Sequence, residues 1–259
     1  MTKESLGNNA IDCRAMADEI LNSITGYGHL AVISVGGDPA SVAYMRGKHK
    51  DCQRVGFGWT HYAFPDLTPQ RDIERTIIEL NNNPEITGII VQLPLPEGYD
   101  AEYLTNLVYP NKDVDGFVYC SDFSPCTPEG VIYIAEHEVG DLTGKNVLII
   151  GRGPLVGRPL TQMMIDKNAT VSVCHSKTSL DVIKRLSEMA DVIVVATGTP
   201  EKWTFNNVNA VVIDCGISRN KEGKLVGDVL YTPGRFSPVP GGVGLLTRAM
   251  LMKHVERKK

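Results

Sequence analysis

The stretch VLIIGRGPLVGRPLTQMM, residues 147–164, leaves this chain little choice of architecture. Four apolar residues run into Gly151-Arg152-Gly153, and Gly157 then opens a segment that reads as a helix. An unbroken apolar run of that length is the pattern of a parallel strand covered on both faces. The glycines permit a sharp turn and let backbone N–H groups approach a pyrophosphate at the positive end of the helix. Gly-x-Gly with one further glycine is weak evidence alone. Here a strand precedes it, a helix follows, and a second strand (169–174) comes at the distance of a βαβ unit. The expectation is a dinucleotide site on Gly151, Arg152, Gly153 and Gly157, against the blander reading of a tight strand-to-helix turn.

The residues after the second strand bear on which dinucleotide. An NAD site usually places Asp or Glu there for the ribose hydroxyl, whereas an NADP site offers phosphate donors instead. This chain has Cys174-His175-Ser176-Lys177-Thr178, with no acidic residue, and Arg152 inside the loop. Arginine and hydroxyls match phosphate oxygens well, so NADP is favoured over NAD. Two further strands, 191–196 and 210–214, end in Thr197-Gly198 and Cys215-Gly216-Ile217. Glycine at a strand end allows close approach of a nicotinamide or ribose, although a plain turn reads equally well. The run Pro238-Val239-Pro240-Gly241-Gly242-Val243-Gly244 is stiff, then flexible, and suits a loop laid against a ligand.

The first half of the chain also alternates helix and strand, which predicts a parallel sheet. A helix over 11–24 is followed by a strand over 29–35, and Ser41 is read as the cap of a helix over 41–55. A strand over 57–62, a helix opened by Thr68-Pro69, and a strand over 86–93 complete the pattern, with Asp100 capping a short helix. Tyr44 and Lys48 stand at i,i+4 and so share one helix face. A sheltered lysine can transfer protons and a tyrosine can stack on an aromatic ligand, but a solvated charge and a half-buried ring are the commoner explanation of such a pair. Gln92 closes an apolar strand, where open α/β sheets bind ligands; a capped structural glutamine explains it as well. In Asn111-Lys112-Asp113-Val114-Asp115-Gly116-Phe117 either aspartate could bind substrate or bond its own turn, and spacing does not choose.

Composition narrows the class. The chain has 259 residues, 42% of them hydrophobic and 22% charged, enough for two domains with cores of their own. A net charge of −4 argues against a nucleic-acid footprint. No apolar run approaches the ~20 residues of a membrane span, and MTKESLGNNA lacks a signal peptide's apolar core. The six cysteines form no CxxC pair, so buried free thiols of a reducing cytoplasm are expected, and no metal site.

Taken together, SVAYMRGKHK, GIIVQLPLP, KDVDGF, CTPEGV, GRGPLVGRP, CHSKT, ADVIVVATG, VVIDCGI and SPVPGGVG resemble, in order, the bifunctional methylenetetrahydrofolate dehydrogenase/cyclohydrolase family, over residues 11–251. The resemblance implies that Lys48 is the catalytic lysine, Tyr44 the stacking tyrosine, Gln92 the lysine's hydrogen-bond partner and Asp115 the pterin anchor. It places Arg152 and Ser176, with His175 beside them, at the NADP 2′-phosphate, and Gly241 and Gly242 beside the nicotinamide. Thr197, Gly216 and Ile217 join the cofactor set. The chain departs from the family in two places. Gly153 stands where Gly-Arg-Ser has its serine, and Leu245-Leu246 replaces Pro-Met after Gly-Gly-Val-Gly; losing that proline is expected to loosen the nicotinamide loop.

The implied fold is α/β with two domains and a cleft between them. Residues 1–120 form an N-terminal catalytic, folate-binding domain on which a helix over 245–259 packs back. Residues 121–244 form a C-terminal Rossmann-type domain. The implied activity is NADP-dependent oxidation of 5,10-methylenetetrahydrofolate followed by hydrolysis to 10-formyltetrahydrofolate, in a cytoplasmic homodimer whose partners are tetrahydrofolate derivatives, not nucleic acid or membrane. The alternatives are a shikimate-type NADP-dependent dehydrogenase and a nucleotide-binding regulator without turnover.

Overall fold

In the computed structural model, alternating strands and helices build two main parallel sheets, of three and four strands, accompanied by two two-stranded ribbons, one parallel and one antiparallel. The structure describes residues 9–118 and 120–258, apart from the side chains of Pro39 and Ala40. The start of the chain, read above for a signal peptide, lies outside these residues through position 8. The elements run α1 (Cys13–Asn22), β1 (His29–Val35), α2 (Pro39–Val55), β2 (Gly58–Phe64), α3 (Gln70–Asn82), β3 (Gly88–Val91), α4 (Ala101–Asn106) and α5 (Cys126–Val139). They continue with β4 (Asn146–Ile150), α6 (Gly157–Asp166), β5 (Thr170–Cys174), α7 (Leu180–Met189) and β6 (Val192–Val195). Short strands β7 (Trp203–Thr204), β9 (Ser218–Arg219), β10 (Leu225–Val226) and β11 (Val229–Tyr231) surround β8 (Val211–Asp214), and α8 (Val243–Val255) closes the order.

Two compact units result. One holds Asp18–Cys126 together with the residues from Arg248 onward; the other holds Thr127–Thr247 with the described residues up to Ala17. The division therefore falls at Cys126, and the amino-terminal end of α1 groups with the second half of the chain.

In the Asp18–Cys126 unit the sheet order is β2-β1-β3, all parallel. Ala31, Ile33 and Val35 of β1 and Ile89 and Val91 of β3 point to one face, because strand side chains alternate. There they meet Ile73, Ile77 and Leu80, the i, i+4, i+7 stripe of α3, in a fully buried cluster. The carboxyl end of α8 belongs to this unit: Thr87 Oγ1 donates to Val255 O at 2.9 Å, and Cys52 Sγ lies 3.5 Å from Met252 Sδ. Lys112 is buried and donates to Leu80 O and Asn83 O, a second bond for two carbonyls at the end of α3 that also accept from Asn83 N and Ile86 N.

Two cap assignments shift. Asp38, not Ser41, caps α2, accepting from Ser41 N at 2.7 Å; an aspartate before proline reaches the N3 amide that the serine itself carries. Pro69 occupies the cap of α3 without a side-chain bond, one residue later than Thr68-Pro69 implies. Asp100 caps α4 as expected, accepting from Tyr103 N.

In the glycine-loop unit the sheet order is β5-β4-β6-β8, again all parallel. Both faces of β4, β6 and β8 are buried, which explains their unbroken apolar runs. A bidentate pair, Arg235 Nε and Nη2 on Glu138 Oε2 and Oε1 at 2.7 and 2.9 Å, ties α5 to the segment after β11. The Arg235 hydrogen bonds hold the Glu138 carboxyl below its ordinary value, against the opposing effect of burial. A depressed carboxyl stabilises the fold above its unfolded pKa and loses that contribution as pH falls through the folded one. Glu138→Gln should therefore cost about 1 kcal/mol or less at pH 7, since half-exposed Arg235 leaves the pair screened by solvent. The gap should close below about pH 4. Denaturant unfolding at pH 7 and pH 3.5 checks this; a gap equal at both values contradicts it.

All six cysteines are free. Burial pushes the Cys13 and Cys52 thiols up to about 12. Cys120 departs from the expectation of buried thiols: it is exposed, in a turn with φ 66°.

Candidate functional site

Helix α2 carries the reactive candidates of the Asp18–Cys126 unit. It runs for 17 residues from its Asp38 cap to Gly56, whose φ of 74° supplies the left-handed stop. The i,i+4 spacing puts the Lys48 Nζ 5.0 Å from the centre of the Tyr44 ring. Lys48 is only 2% exposed, which a solvated surface lysine would not be. Its Nζ donates to Gln92 Oε1 at 3.2 Å and lies 3.8 Å from Asp115 Oδ2.

Gln92 is placed by the sheet. Its N–H donates to Ile33 O at 2.8 Å, just beyond the end of β3 and beside the end of β1. In the order β2-β1-β3 this is where the connections part to opposite sides, the usual ligand position of an open parallel sheet. The Gln92 Nε2 donates to Leu93 O at 2.8 Å, and this fixes which end of the amide faces the lysine.

The two aspartates have different partners. Asp113 Oδ2 accepts from Val118 N at 2.8 Å and its carbonyl accepts from Ser121 Oγ, so this residue pins its own turn; burial pushes its carboxyl up. Among the described residues the Asp115 side chain shows no such turn bond, and Lys48 is its ion-pair partner. Both line a small pocket with Ile90, Thr105, Val108 and Phe117. Gly116 (φ 73°) lets the chain pass here, since a Cβ would sit 2.5 Å from the Ser124 carbonyl.

Ser41 belongs to the same helix face and was hidden in its reading as a cap. It stands three and seven residues before Tyr44 and Lys48, and its hydroxyl donates to Leu93 O at 3.5 Å. The i, i+3, i+7 spacing was the signal that could have found it.

The glycine loop has a different chemistry. Gly151 has φ 127°, and a Cβ there would lie 2.2 Å from Ala196 O at the end of β6. A Cβ on Gly157 would lie 2.3 Å from Gly151 O. Both glycines are required for α6 to start this close to the sheet. Gly153 is not: its added Cβ meets nothing within 4 Å. The cap of α6, Val156, makes no side-chain bond; in the first turn the Arg158 N–H is taken by Gly153 O and Pro159 carries none, so what faces the loop is the positive end of the helix dipole. Arg152, Ser176 and Lys177 are exposed. His175 Nδ1 accepts from Lys177 N at 3.2 Å, and its N–H donates to Thr178 Oγ1, so His175 shapes the turn that presents Ser176.

Thr197 and Gly198 follow β6, and Gly216 and Ile217 follow β8. Asp228 Oδ2 receives the Thr197 N–H and hydroxyl and the Gly198 N–H; Asp214 Oδ1 receives the Gly216 N–H. No sequence signal marked Asp228, a lone aspartate between two short strands. Gly241 has φ 102°, and a Cβ on Gly242 would lie 2.3 Å from Pro238 O. Leu245 keeps an N–H that proline lacks and donates it to Gly242 O at 2.9 Å, while Leu246 is fully buried against Gly130.

Among the described residues no His/Cys/Asp/Glu group has metal-holding geometry, and no helix is long and apolar enough to cross a membrane.

Comparison with known proteins gives a consistent result. Residues 11–115 match the family described as tetrahydrofolate dehydrogenase/cyclohydrolase, catalytic domain, and residues 125–259 its NAD(P)-binding domain. A bifunctional protein FolD of Acetivibrio thermocellus is 42% identical over 241 residues, 87% of this chain and 84% of that protein. The crystal structure of the bifunctional FolD methylenetetrahydrofolate dehydrogenase/cyclohydrolase of Campylobacter jejuni is 34% identical, with a TM-score of 0.85 over 95% of this chain and 96% of that one. The Trypanosoma brucei enzyme, solved with NADP and an inhibitor, is 29% identical at a TM-score of 0.85, over 95% of each chain.

Proposed function

This chain belongs to the tetrahydrofolate dehydrogenase/cyclohydrolase family, and we propose that it oxidises 5,10-methylenetetrahydrofolate with NADP⁺ and hydrolyses the product to 10-formyltetrahydrofolate. The observation that carries the proposal is the buried Lys48, held by Gln92 and 3.8 Å from Asp115, in a chain that also carries a complete glycine cradle.

In the first reaction a C–H bond of the methylene bridge breaks and its electron pair leaves as hydride, giving the methenyl cation. NADP⁺, when bound, accepts that hydride; the redox chemistry is the cofactor's. The protein's part is orientation. Tyr44 offers a ring face for the aminobenzoate, Asp115 anchors the pterin, and Gln92 keeps Lys48 in place. In the second reaction water adds to the methenyl carbon and loses a proton; the added hydroxyl then gives up its own proton as the bond from that carbon to N5 breaks, N5 takes a proton, and the formyl group stays on N10. Lys48 serves this step by taking the water's proton or activating the water.

The cofactor unit fits NADP on its own features. The space that Gly151 and Gly157 keep clear, together with the positive end of the α6 dipole, suits a pyrophosphate, and Arg152 and Ser176, with Lys177, offer donors to a 2′-phosphate. Thr197, Gly216, Ile217, Gly241 and Gly242 receive the nicotinamide end. Because Gly153 has open space around it, Gly153→Ser should fold normally and tighten NADP⁺ by several-fold through an added hydroxyl–phosphate bond. Calorimetric titration checks this, and unchanged or weaker binding removes phosphate contact at that position. Six free thiols suit a reducing cytoplasm, and we read the enzyme as a homodimer formed through its cofactor unit, as the family resemblance implies. The direct test is incubation with methylenetetrahydrofolate and either NADP⁺ or NAD⁺. NADPH formation, slower or absent with NAD⁺, supports the proposal; no reduction of either cofactor defeats it.

A further inference from the structure

Asp228 is fully buried, yet its two carboxylate oxygens are used very unequally. Oδ2 accepts from Thr197 N (2.6 Å), Thr197 Oγ1 (2.8 Å) and Gly198 N (2.8 Å). Oδ1 has no hydrogen-bond partner among the described residues. That bare oxygen lies against the Cα of Gly216: a Cβ added there would come within 2.3 Å of it. A second buried carboxylate completes the arrangement. Asp214 Oδ1 accepts from Gly216 N and from Asp228 N, at 2.8 and 3.0 Å, and its Oδ2 accepts from Val229 N at 2.9 Å. Burial pushes the Asp214 carboxyl up, and the neighbouring Asp228 adds to the effect.

This is a poor way to stabilise a fold. Burying a carboxylate is costly, burying two side by side more so, and leaving one oxygen unpaired adds the desolvation cost of that atom. A neutral acceptor such as asparagine would hold the same three donors without a buried charge. What the charge adds is a negative potential immediately behind the ends of β6 and β8. There it would act on whatever those two loops receive, in surroundings of low dielectric. A nicotinamide ring is a cation when oxidised and neutral when reduced.

We propose that Asp228, backed by Asp214, is the positioning residue of the dehydrogenase half: it fixes the Thr197–Gly198 and Gly216 backbone, and its charge favours the oxidised, cationic cofactor over the reduced one. The assignment rests on the reading above that Thr197, Gly216 and Ile217 receive the nicotinamide end.

Asp228→Asn isolates the charge, because the amide oxygen still faces the three donors. Dissociation constants of the full-length protein for NADP⁺ and NADPH, by calorimetry or fluorescence, are the readout, with methenyltetrahydrofolate hydrolysis measured on the same sample. NADP⁺ should weaken at least tenfold and NADPH less than threefold, with hydrolysis within twofold of wild type. Equal weakening of both forms, or no weakening of NADP⁺, overturns the proposal. Should Asp228→Asn not fold, Thr197→Val removes one of the three donors and keeps the charge. It should accelerate hydrogen exchange of the Gly198 amide in the free protein and weaken both cofactor forms equally; unchanged exchange overturns the clamp. A wild-type protein that binds neither cofactor form defeats the functional reading itself, a result distinct from an unshifted ratio in the variant.

Discussion

Lys48→Met should lose methenyltetrahydrofolate hydrolysis by roughly a hundred- to ten-thousand-fold, the usual contribution of a positioned acid–base group. Oxidation by NADP⁺ should fall far less. Methionine keeps an unbranched chain of similar length, so the buried channel beside Tyr44 stays filled and only the amine is removed. What disappears is the amine 3.2 Å from Gln92 Oε1 and 3.8 Å from Asp115, the group proposed to take a proton from water. Hydride departure needs no such group, because its electron pair goes to the cofactor. Decay of methenyl absorbance reads the first activity and NADPH formation the second. A variant that hydrolyses at the wild-type rate removes Lys48 from the mechanism.

Gly157→Ala should produce the opposite pattern. Its new methyl would be placed 2.3 Å from Gly151 O and 2.9 Å from the Arg152 Cα, with backbone on both sides and no flexible side chain to give way. The glycine loop and the first turn of α6 must separate, at a stability cost of about 1–3 kcal/mol. The cradle offered to the pyrophosphate is then lost, and NADP⁺ affinity should fall by at least about a hundredfold, or roughly 3 kcal/mol. Hydrolysis of supplied methenyltetrahydrofolate should stay within a few-fold of wild type, since Lys48, Gln92 and Asp115 all belong to the other unit. Gly153→Ala is the control: its methyl meets nothing within 4 Å, and affinity should hardly change.

The sheets were legible in the sequence because their signals are local. The apolar run into Gly151 needs only its neighbours to read as strand, turn and helix, and β1 has the bounds read from HLAVISV. The i,i+4 pair Tyr44 and Lys48 was visible for the same reason. The link from Lys48 to Gln92 was not, because 44 residues separate them and only the β1–β3 pairing brings them together. The difference between Asp115 and Asp113 lies in which carboxylate the Val118 amide occupies, a contact that spacing cannot show. Asp228 is harder still. Its role comes from three donors 30 and 31 residues away, and no residue pattern announces such a meeting. The loop after Gly242 adds a feature the sequence reading did not weigh: where a proline would have no N–H, Leu245 has one and donates it to Gly242 O.

The central claim, that one chain carries out both steps with Lys48 serving only the second, is tested most directly in a single mixture. Wild type or Lys48→Met is given methylenetetrahydrofolate and NADP⁺, and NADPH and the methenyl cation are followed together. With wild type, NADPH should accumulate while the methenyl signal stays low and 10-formyltetrahydrofolate forms. With Lys48→Met the methenyl signal should rise in step with NADPH, mole for mole, and decay only at its spontaneous rate. Equal methenyl levels in the two proteins at equal NADPH would contradict the account.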